Sequence, residues 1–438
     1  AAATAMYGKM PGVPLHRYSE ARLIIVWGCN PEVSGIHVMP HIDAARRAGA
    51  RVVVVDPRRT RLARRADMHL AVRPGSDVAV ALAIAGWIFD NDRADCEFLE
   101  QHATGVARFR EAAGRWTPEE AAEVADVDAG DIRALAGWYA DADPAVIRVG
   151  WGLERNRNGG AAAAAVLALP AVAGKFRVPA GGYTMSNTGA FPVTTDAVVG
   201  TPPSPARTVN MNRLGRELLE GQPEIRSLFV YNSNPVATLP DQGRVVRGLE
   251  RSDLFTVVFD QVLTDTARYA DVVLPATTFL EHSELRYGYG AMVMQYADAV
   301  AARVGEARPN YEVFDDLADR LGLLAPDDPR TPEAMTRAIL GADRADRLLR
   351  DRIETFPDGV QFVDIWPRTE DRRAHLFPQS LDDAAAVGLY GFRPDPATDA
   401  RPLALISPAT RHSVSSTLAQ VGDRPATLLI NPADAEPR

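Results

Sequence analysis

The sequence predicts an α/β protein built from two pseudo-repeated, doubly wound domains with mostly parallel sheets. Two observations carry that prediction. Strand-length apolar runs alternate with helix-length segments over most of the chain, the pattern of parallel sheets covered by helices. In addition, one stretch recurs at a constant offset of 204 residues without gaps. Val26, Trp27, Gly28, Cys29, Asn30 and Pro31 return as Val230, Tyr231, Asn232, Ser233, Asn234 and Pro235. Asp56 closes the strand after the first copy, and Asp260 closes the strand after the second. Residues 60–70 and 264–274 then match at six of eleven positions, beginning on Thr60 and Thr264. Coincident register over this length argues for two copies of one nucleotide-binding unit, holding two nucleotide moieties at once.

In the first copy, residues 23–26 form a short buried strand that ends in the turn 28–31. A helix follows to about residue 48, Gly49 ends it, and 52–55 is the next strand. Residues 69–72 make a third strand. Arg73, Pro74, Gly75 and Ser76 form a tight loop, and Asp77 is placed to cap the apolar helix 78–89. Residues 93–143 read as amphipathic helices. Within them Thr117, Pro118, Glu119 and Glu120 spell a capping box, and 128–141 is a further helix. Residues 146–149 form a strand leading into Gly150, Trp151 and Gly152, and an Ala-rich helix covers 161–174. Pro179, Gly181, Gly182, Pro192, Pro202, Pro203 and Pro205 make 178–208 a loop-rich join and a candidate wall of a site.

The second copy occupies about 225–325. Residues 326–400 are polar, Pro-rich and less regular, and strand patterning resumes at Leu403. These shifts place a first dinucleotide-binding domain at 1–182 and a second at 183–345. An irregular connecting segment follows at 346–400, and a truncated last domain at 401–438. The chain opens on three alanines and a threonine and ends just after the apolar run 426–431, so it reads as an internal fragment of a longer polypeptide.

Bulk composition narrows the function. The net charge of −9 gives no support to nucleic-acid binding, although the basic run 58–65 invites a phosphate reading. No run of 18 apolar residues is present to span a membrane. Only Cys29 and Cys96 occur, without Cys-x-x-Cys spacing, so these cysteines build no iron–sulfur or zinc site. The compartment, cytoplasmic or periplasmic, stays open.

Strand–turn–helix units bind ligands at the carboxyl ends of their strands. Gly28 lets backbone approach a phosphate and Asn30 adds an amide. Asp56 and Asp260 sit where an acidic group accepts from ribose hydroxyls or a purine amino group. Arg58 can pair with phosphate, and Pro74, Gly75, Ser76 and Asp77 can wrap a base, with Asp77 accepting from a guanine edge. Neither copy carries the glycine pattern of a nicotinamide-dinucleotide site or a Gly-Lys-Ser/Thr phosphate loop. Cys29 reads as a small buried filler. His37 and His41, four apart with Pro40 between them, read as solvated or capping residues. His282 with Glu281 and Glu284 reads as a structural hydrogen-bond network. Thr410, Arg411, His412, Ser413, Ser415 and Ser416 fit a pocket lining and a surface turn equally well.

The paired motifs resemble the molybdopterin oxidoreductase family that carries a bis(molybdopterin guanine dinucleotide) cofactor, the dimethyl sulfoxide reductase group. In the first copy the resemblance rests on residues 27–31, Asp56 to Arg58, Arg73 to Asp77 and Gly150 to Gly152. In the second it rests on Asn232 to Pro235, Asp260, Thr264 to Thr266 and, most specifically, Ala270 to Pro275. It implies two related domains that each hold one guanine dinucleotide, with molybdenum or tungsten between them. Trp27, Gly28, Asn30, Asp56, Arg58, Pro74, Gly75 and Asp77 would serve one dinucleotide, with Gly150, Gly152 and Arg155 near the pterin. Asn232, Asn234, Pro235, Asp260, Thr264 and Asp271 would serve the other. Thr184, Ser186 and Asn187 would line the substrate funnel. Residues 407–416, with His412 in the funnel and Ser413 on the cofactor, resemble the opening of the family's C-terminal β-barrel domain.

The resemblance further implies two-electron oxidation or reduction of a small substrate by oxygen-atom or hydride transfer, with an iron–sulfur subunit as electron partner. The family's metal ligand (Cys, selenocysteine, Ser or Asp) and its 4Fe-4S cluster segment are expected upstream of Ala1. Near 181–189 the Arg-containing, Asn-rich loop associated with formate dehydrogenases is missing, which lowers formate as a substrate. The competing reading is a cofactor-free structural subunit like the large iron–sulfur subunit of respiratory complex I. The nucleotide-reading residues favour the enzyme, because an empty site places no demand on them.

Overall fold

A computed structural model describes residues 1–199, 206–394, 396–397, 400–410, 416–417 and 427–436. The chain divides into two compact units. The first comprises Ala1–Thr194, Leu285–Tyr296 and Leu340–Pro408, and the second Thr195–Glu284, Ala297–Ile339 and Ala409–Arg438. The chain thus re-enters the first unit twice, whereas the sequence boundaries marked contiguous stretches.

The first unit is organised by five parallel strands: β1 (Leu23–Trp27), β2 (Arg51–Val55), β3 (Met68–Leu70), β4 (Ala145–Val149) and β5 (Gly182–Thr184). They lie in the order β3-β2-β1-β4-β5. Every residue of β1 and β4 is buried, which is why β1 reads as an unbroken apolar run and β4 as one interrupted only by Arg148. The two faces are covered separately. Leu23, Ile25, Trp27, Val53 and Val55 pack with α1 (Asp77–Asp90) and α2 (Gly159–Val172). Ile24, Val26, Val52 and Val54 pack with Tyr18, Ile42 and Ala45 from the segments Leu15–Glu20 and Met39–Arg47. Helices α1 and α2 are apolar almost all round, as helices enclosed on every side must be. Their small side chains, five alanines in succession at 161–165, allow them to pack closely on each other. The capping box of Thr117 and Glu120 forms as expected, with both reciprocal bonds present.

The second unit carries three parallel strands, β6 (Ser227–Tyr231), β7 (Phe255–Asp260) and β8 (Val272–Pro275), in that order. Their pairing repeats that of β1, β2 and β3 shifted by 204 residues: Leu23 faces Arg51 and Ser227 faces Phe255, while Val53 faces Met68 and Val257 faces Val272. Leu218, Val236, Val245, Leu249 and Leu254 form its main core, and Phe314 of helix Asn310–Arg320 meets Phe229, Tyr231 and Phe259.

The structure departs from the sequence expectations at Asp77 and after residue 345. Asp77 is the first residue of α1 and Ser76 its N-cap, so Asp77 does not cap that helix. The segment 346–400 is less irregular than its polarity suggested. Helix Ala342–Asp351 buries Ala345 and Leu348, and strand Ile353–Thr355 pairs antiparallel with Val293–Ala297. Two apolar positions per turn suffice for a helix that covers the edge of a core, and a composition reading misses them. Finally, no strand follows Ala374–His375 among the described residues, whose last element is the short helix Pro432–Ala435. No helix among the described residues is long and apolar enough to cross a membrane.

Candidate functional site

The order β3-β2-β1-β4-β5 has its reversal between β1 and β4. From β1 the chain winds out through β2 and β3, then returns to start β4 on the other side. Neighbouring connections leave in opposite directions at that point, the place where open parallel sheets form a ligand crevice at their strands' carboxyl ends. The turn after β1 and the turn after β4 both lie there and are locked together. Gly28 donates its N–H to Val55 (2.8 Å), Gly150 to Trp27 (2.8 Å) and Gly152 to Gly28 (2.9 Å). A Cβ on Gly150 would stand 2.2 Å from the Cys29 Cβ, and one on Gly152 2.5 Å from the Gly28 oxygen. Gly28 has φ +65° and its Cβ position is filled by the Leu153 side chain. Here the glycines admit neighbouring backbone, whereas the sequence reading had assigned Gly28 to the approach of a phosphate.

Within this frame the side chains divide into holders and exposed groups. Trp27 is fully enclosed, and its indole Nε1 donates to Asp77 Oδ1 at 2.8 Å. Its side chain therefore positions Asp77. Burial pushes the Asp77 carboxyl above its ordinary range, and the Trp27 bond opposes that shift. Asp56 follows β2 and accepts the Arg58 N–H at 2.8 Å. Its carboxyl is likewise raised by burial against the pull of Arg58 and His69. Arg58 is half-buried, Pro74 is exposed, and Arg155, at the end of the segment Trp151–Arg155, is exposed.

Asn30 stands at the head of the short helix Pro31–Ser34, and its amide oxygen is buried without a hydrogen-bond partner. Burial pushes the neighbouring Cys29 thiol up to about 11, so it stays protonated, in keeping with a filler role. On the β5 side Thr184 is buried and its hydroxyl donates to the Val13 carbonyl at 2.7 Å. Ser186 is exposed and bonds Thr188, while the Asn187 amide oxygen is buried without a partner.

The second unit sets the same residues in the same backbone. Asn232 has φ +50°, the counterpart of Gly28. Thr60 and Thr264 cap the following turns identically, accepting from Ala63 and Ala267. Asn234 is buried and engaged: its oxygen accepts from the Thr266 hydroxyl (2.8 Å) and N–H (3.2 Å), and its Nδ2 donates to Asp265 (3.1 Å). Pro235 is buried, Asp260 is half-buried with Oδ1 accepting from Gln261, and the exposed Asp271 bonds the Thr256 N–H. His282 contacts the Thr277 hydroxyl at 2.9 Å, and Glu281 accepts from Thr278 and Val304, the structural network expected of them.

Sequence reading missed two residues. Asn158, 4% exposed, clamps the Pro74–Gly75 loop by donating to the Gly75 carbonyl at 2.8 Å, and also bonds Arg393. The only signal was an Asn ahead of an Ala-rich helix. Arg148 lies in β4 among apolar residues, where a charge should have drawn notice. His412 and Ser413 lie outside the described residues. Among the described residues no group of three His, Cys, Asp or Glu side chains is arranged to hold a metal ion.

The strand order and its reversal define a doubly wound, parallel α/β fold. More particularly, the chain belongs to the molybdopterin oxidoreductase family, whose model matches residues 4–320. It is 35% identical over 339 residues to the probable oxidoreductase YoaE of Bacillus subtilis (strain 168), covering 76% of this chain and 49% of that protein. It is 27% identical over 326 residues to formate dehydrogenase H of Escherichia coli (strain K12), covering 68% and 45%. Acetylene hydratase from Pelobacter acetylenicus shares the fold, with a TM-score of 0.75 and 19% identity over 91% of this chain and 61% of that one. The chain spans about half the length of the curated relatives it matches.

Proposed function

We propose that this chain is the cofactor-holding part of the catalytic subunit of a molybdenum or tungsten oxidoreductase, with one molybdopterin guanine dinucleotide on each unit. The observation that carries this reading is the repeated strand–turn–strand, identical in register and in its threonine caps, in a member of the molybdopterin oxidoreductase family. The donor set of the first unit fits such a group. The buried, unpartnered Asn30 oxygen is an acceptor without a donor, a state that costs about 1–3 kcal/mol unless a ligand fills it. Asp56 can accept from ribose hydroxyls and Asp77 from a guanine edge through Oδ2, while Arg58 offers a charge to the phosphates.

When bound, the dithiolene-held metal would supply two-electron redox chemistry for a small substrate. The protein's part is to hold two anionic tails apart and fix the metal's orientation. In the second unit Asn232, Asp260 and Thr264 stand in the corresponding places, whereas Asn234 and Asp271 act mainly by shaping the turn. An iron–sulfur electron-transfer partner and the β-barrel reading of residues 401–438 belong to this proposal.

The test is to express the complete polypeptide, measure molybdenum and tungsten, and count the GMP released by acid hydrolysis. Two GMP per metal is expected. A protein free of both, or one GMP per metal, would overturn the reading.

A further inference from the structure

The crevice side of the first unit holds one full charge that the proposed cofactor grip does not use. Arg148 is 9% exposed. Its Nη1 donates to the backbone oxygens of Val149 (2.9 Å), Thr184 (3.1 Å) and Met185 (3.4 Å), and its Nη2 donates to the Tyr289 hydroxyl (3.0 Å). The ionisable groups that act on it most are Cys29, Tyr18 and Tyr289, one thiol and two phenols, and among the described residues it forms no ion pair with a carboxylate. Carbonyl oxygens satisfy the guanidinium's hydrogen bonds without neutralising its charge. A buried charge in that condition is strongly unfavourable unless something negative is brought to it.

Tyr289 marks the direction from which it can come. Its ring is 58% exposed, although its oxygen touches the buried guanidinium. Because that oxygen accepts from Arg148, the hydroxyl hydrogen is left to donate outward, polarised by the charge behind it. Gly35 leaves room beside it, with the Tyr289 hydroxyl 3.8 Å from where a Cβ would lie, and the His37 ring stands 6.1 Å from the Tyr289 ring.

We propose that Tyr289 and Arg148 form the recognition point for a small oxyanion-bearing substrate, a carboxylate or an inorganic oxoanion. Tyr289 makes the contact and Arg148 supplies the charge. This rests on the oxidoreductase reading for the word substrate, while the anion site itself stands on the geometry. It favours oxoanions and carboxylates over neutral sulfoxides or amine oxides as the class the enzyme acts on.

The test titrates the chain, free of cofactor, with sodium nitrate and sodium formate at constant ionic strength held by chloride, followed calorimetrically. Saturable binding of at least one probe is expected, weakened about tenfold in Tyr289→Phe, the worth of one charge-assisted hydrogen bond. Tyr289→Phe removes one hydroxyl from a largely exposed side chain and leaves Arg148 its backbone carbonyl partners, so it folds even if Arg148→Met does not. Binding by neither probe, or equal binding by Tyr289→Phe, overturns the site. If pyrophosphate binds more tightly than both probes and displaces them, the pocket serves a cofactor tail and the substrate assignment falls. The metal and GMP count of the complete protein uses no variant of either residue, so failure of that reading is seen separately.

Discussion

The amide oxygen of Asn234 accepts both the hydroxyl (2.8 Å) and the backbone N–H (3.2 Å) of Thr266. In the first unit the residue matching Thr266 is Leu62, fully buried, and the Asn30 oxygen has no partner. One substitution between the copies thus converts a structural asparagine into one whose acceptor is available. Asn234→Ala should destabilise its unit by about 2–3 kcal/mol, since two bonds to the oxygen and one from the nitrogen are lost and the Thr266 hydroxyl keeps only the Val236 N–H that it accepts. Asn30→Ala removes an unpaired buried oxygen and should not destabilise the ligand-free chain, while reducing nucleotide retention in the complete protein. Urea denaturation of the two variants side by side checks this; equal losses would show that the two asparagines play one role.

The glycine lock gives a second expectation. Gly150→Ala would press a methyl group onto the Cys29 Cβ and the Gly28 carbonyl, at 2.2 and 2.3 Å, and neither rotamer change nor side-chain motion relieves a backbone clash. The cost should reach or exceed the usual overpacking range of about 1–3 kcal/mol, with a fall in Tm of about 2–4 °C for each kcal/mol. Gly160→Ala, with nothing within 4 Å of its Cβ position, is the matched control and should lose no stability. Differential scanning calorimetry of both variants measures the contrast.

The parts of this molecule legible in sequence are those written in local pattern. The apolar runs of β1 and β2 announced buried parallel strands, and Thr117 to Glu120 announced a helix start, because each signal lies within a few residues. The 204-residue echo carried further, since turn conformation and threonine caps recur wherever the same residues recur. What stayed hidden depends on distant partners. That Trp27 reaches Asp77, that Asn158 clamps Gly75, and that Arg148 meets Tyr289 are contacts across 50, 83 and 141 positions. Residue type and spacing do not encode such meetings. The re-entry of 285–296 and 340–408 into the first unit was hidden for the same reason.

The buried Asp77 gives stability a pH dependence of definite sign. Its carboxyl is held above the ordinary range by burial, so the unfolded chain ionises it more readily than the folded one. At a pH below the unfolded value both states are protonated and the group contributes nothing. As pH rises through the window up to the raised folded value, stability is lost, because the folded state holds the extra proton. Asp77→Asn keeps an oxygen acceptor for the Trp27 indole and has no charge to bury. The variant should therefore be at least as stable as the parent at pH 7, and its advantage should vanish as pH falls below the carboxylate range. Tm measured from pH 3 to 7 checks this; a variant clearly weaker at pH 7 than at pH 3, relative to the parent, would contradict it.

Asp67 and Asp271 test how far the duplicated design separates structure from binding. Each carboxylate accepts a backbone N–H of the preceding strand at 2.7 Å, from Val52 and Thr256 respectively. Each aspartate's own N–H donates in return, at 2.9 Å, to the carbonyl of Val52 or Thr256. The pair closes the connection between the second and third strands of each sheet, so replacing either aspartate by Ala should cost about 0.5–1.5 kcal/mol and leave the bound guanine nucleotide count unchanged. Asp260 differs: among the described residues its carboxylate accepts only the adjacent Gln261 N–H, at 2.7 Å, at the strand's carboxyl end. Asp260→Ala should leave Tm within about 1 °C of the parent and lower nucleotide occupancy in the complete protein. Nucleotide counts and melting curves on the three variants decide the matter. If Asp271→Ala empties the site while Asp260→Ala does not, the roles given to these two carboxylates are exchanged.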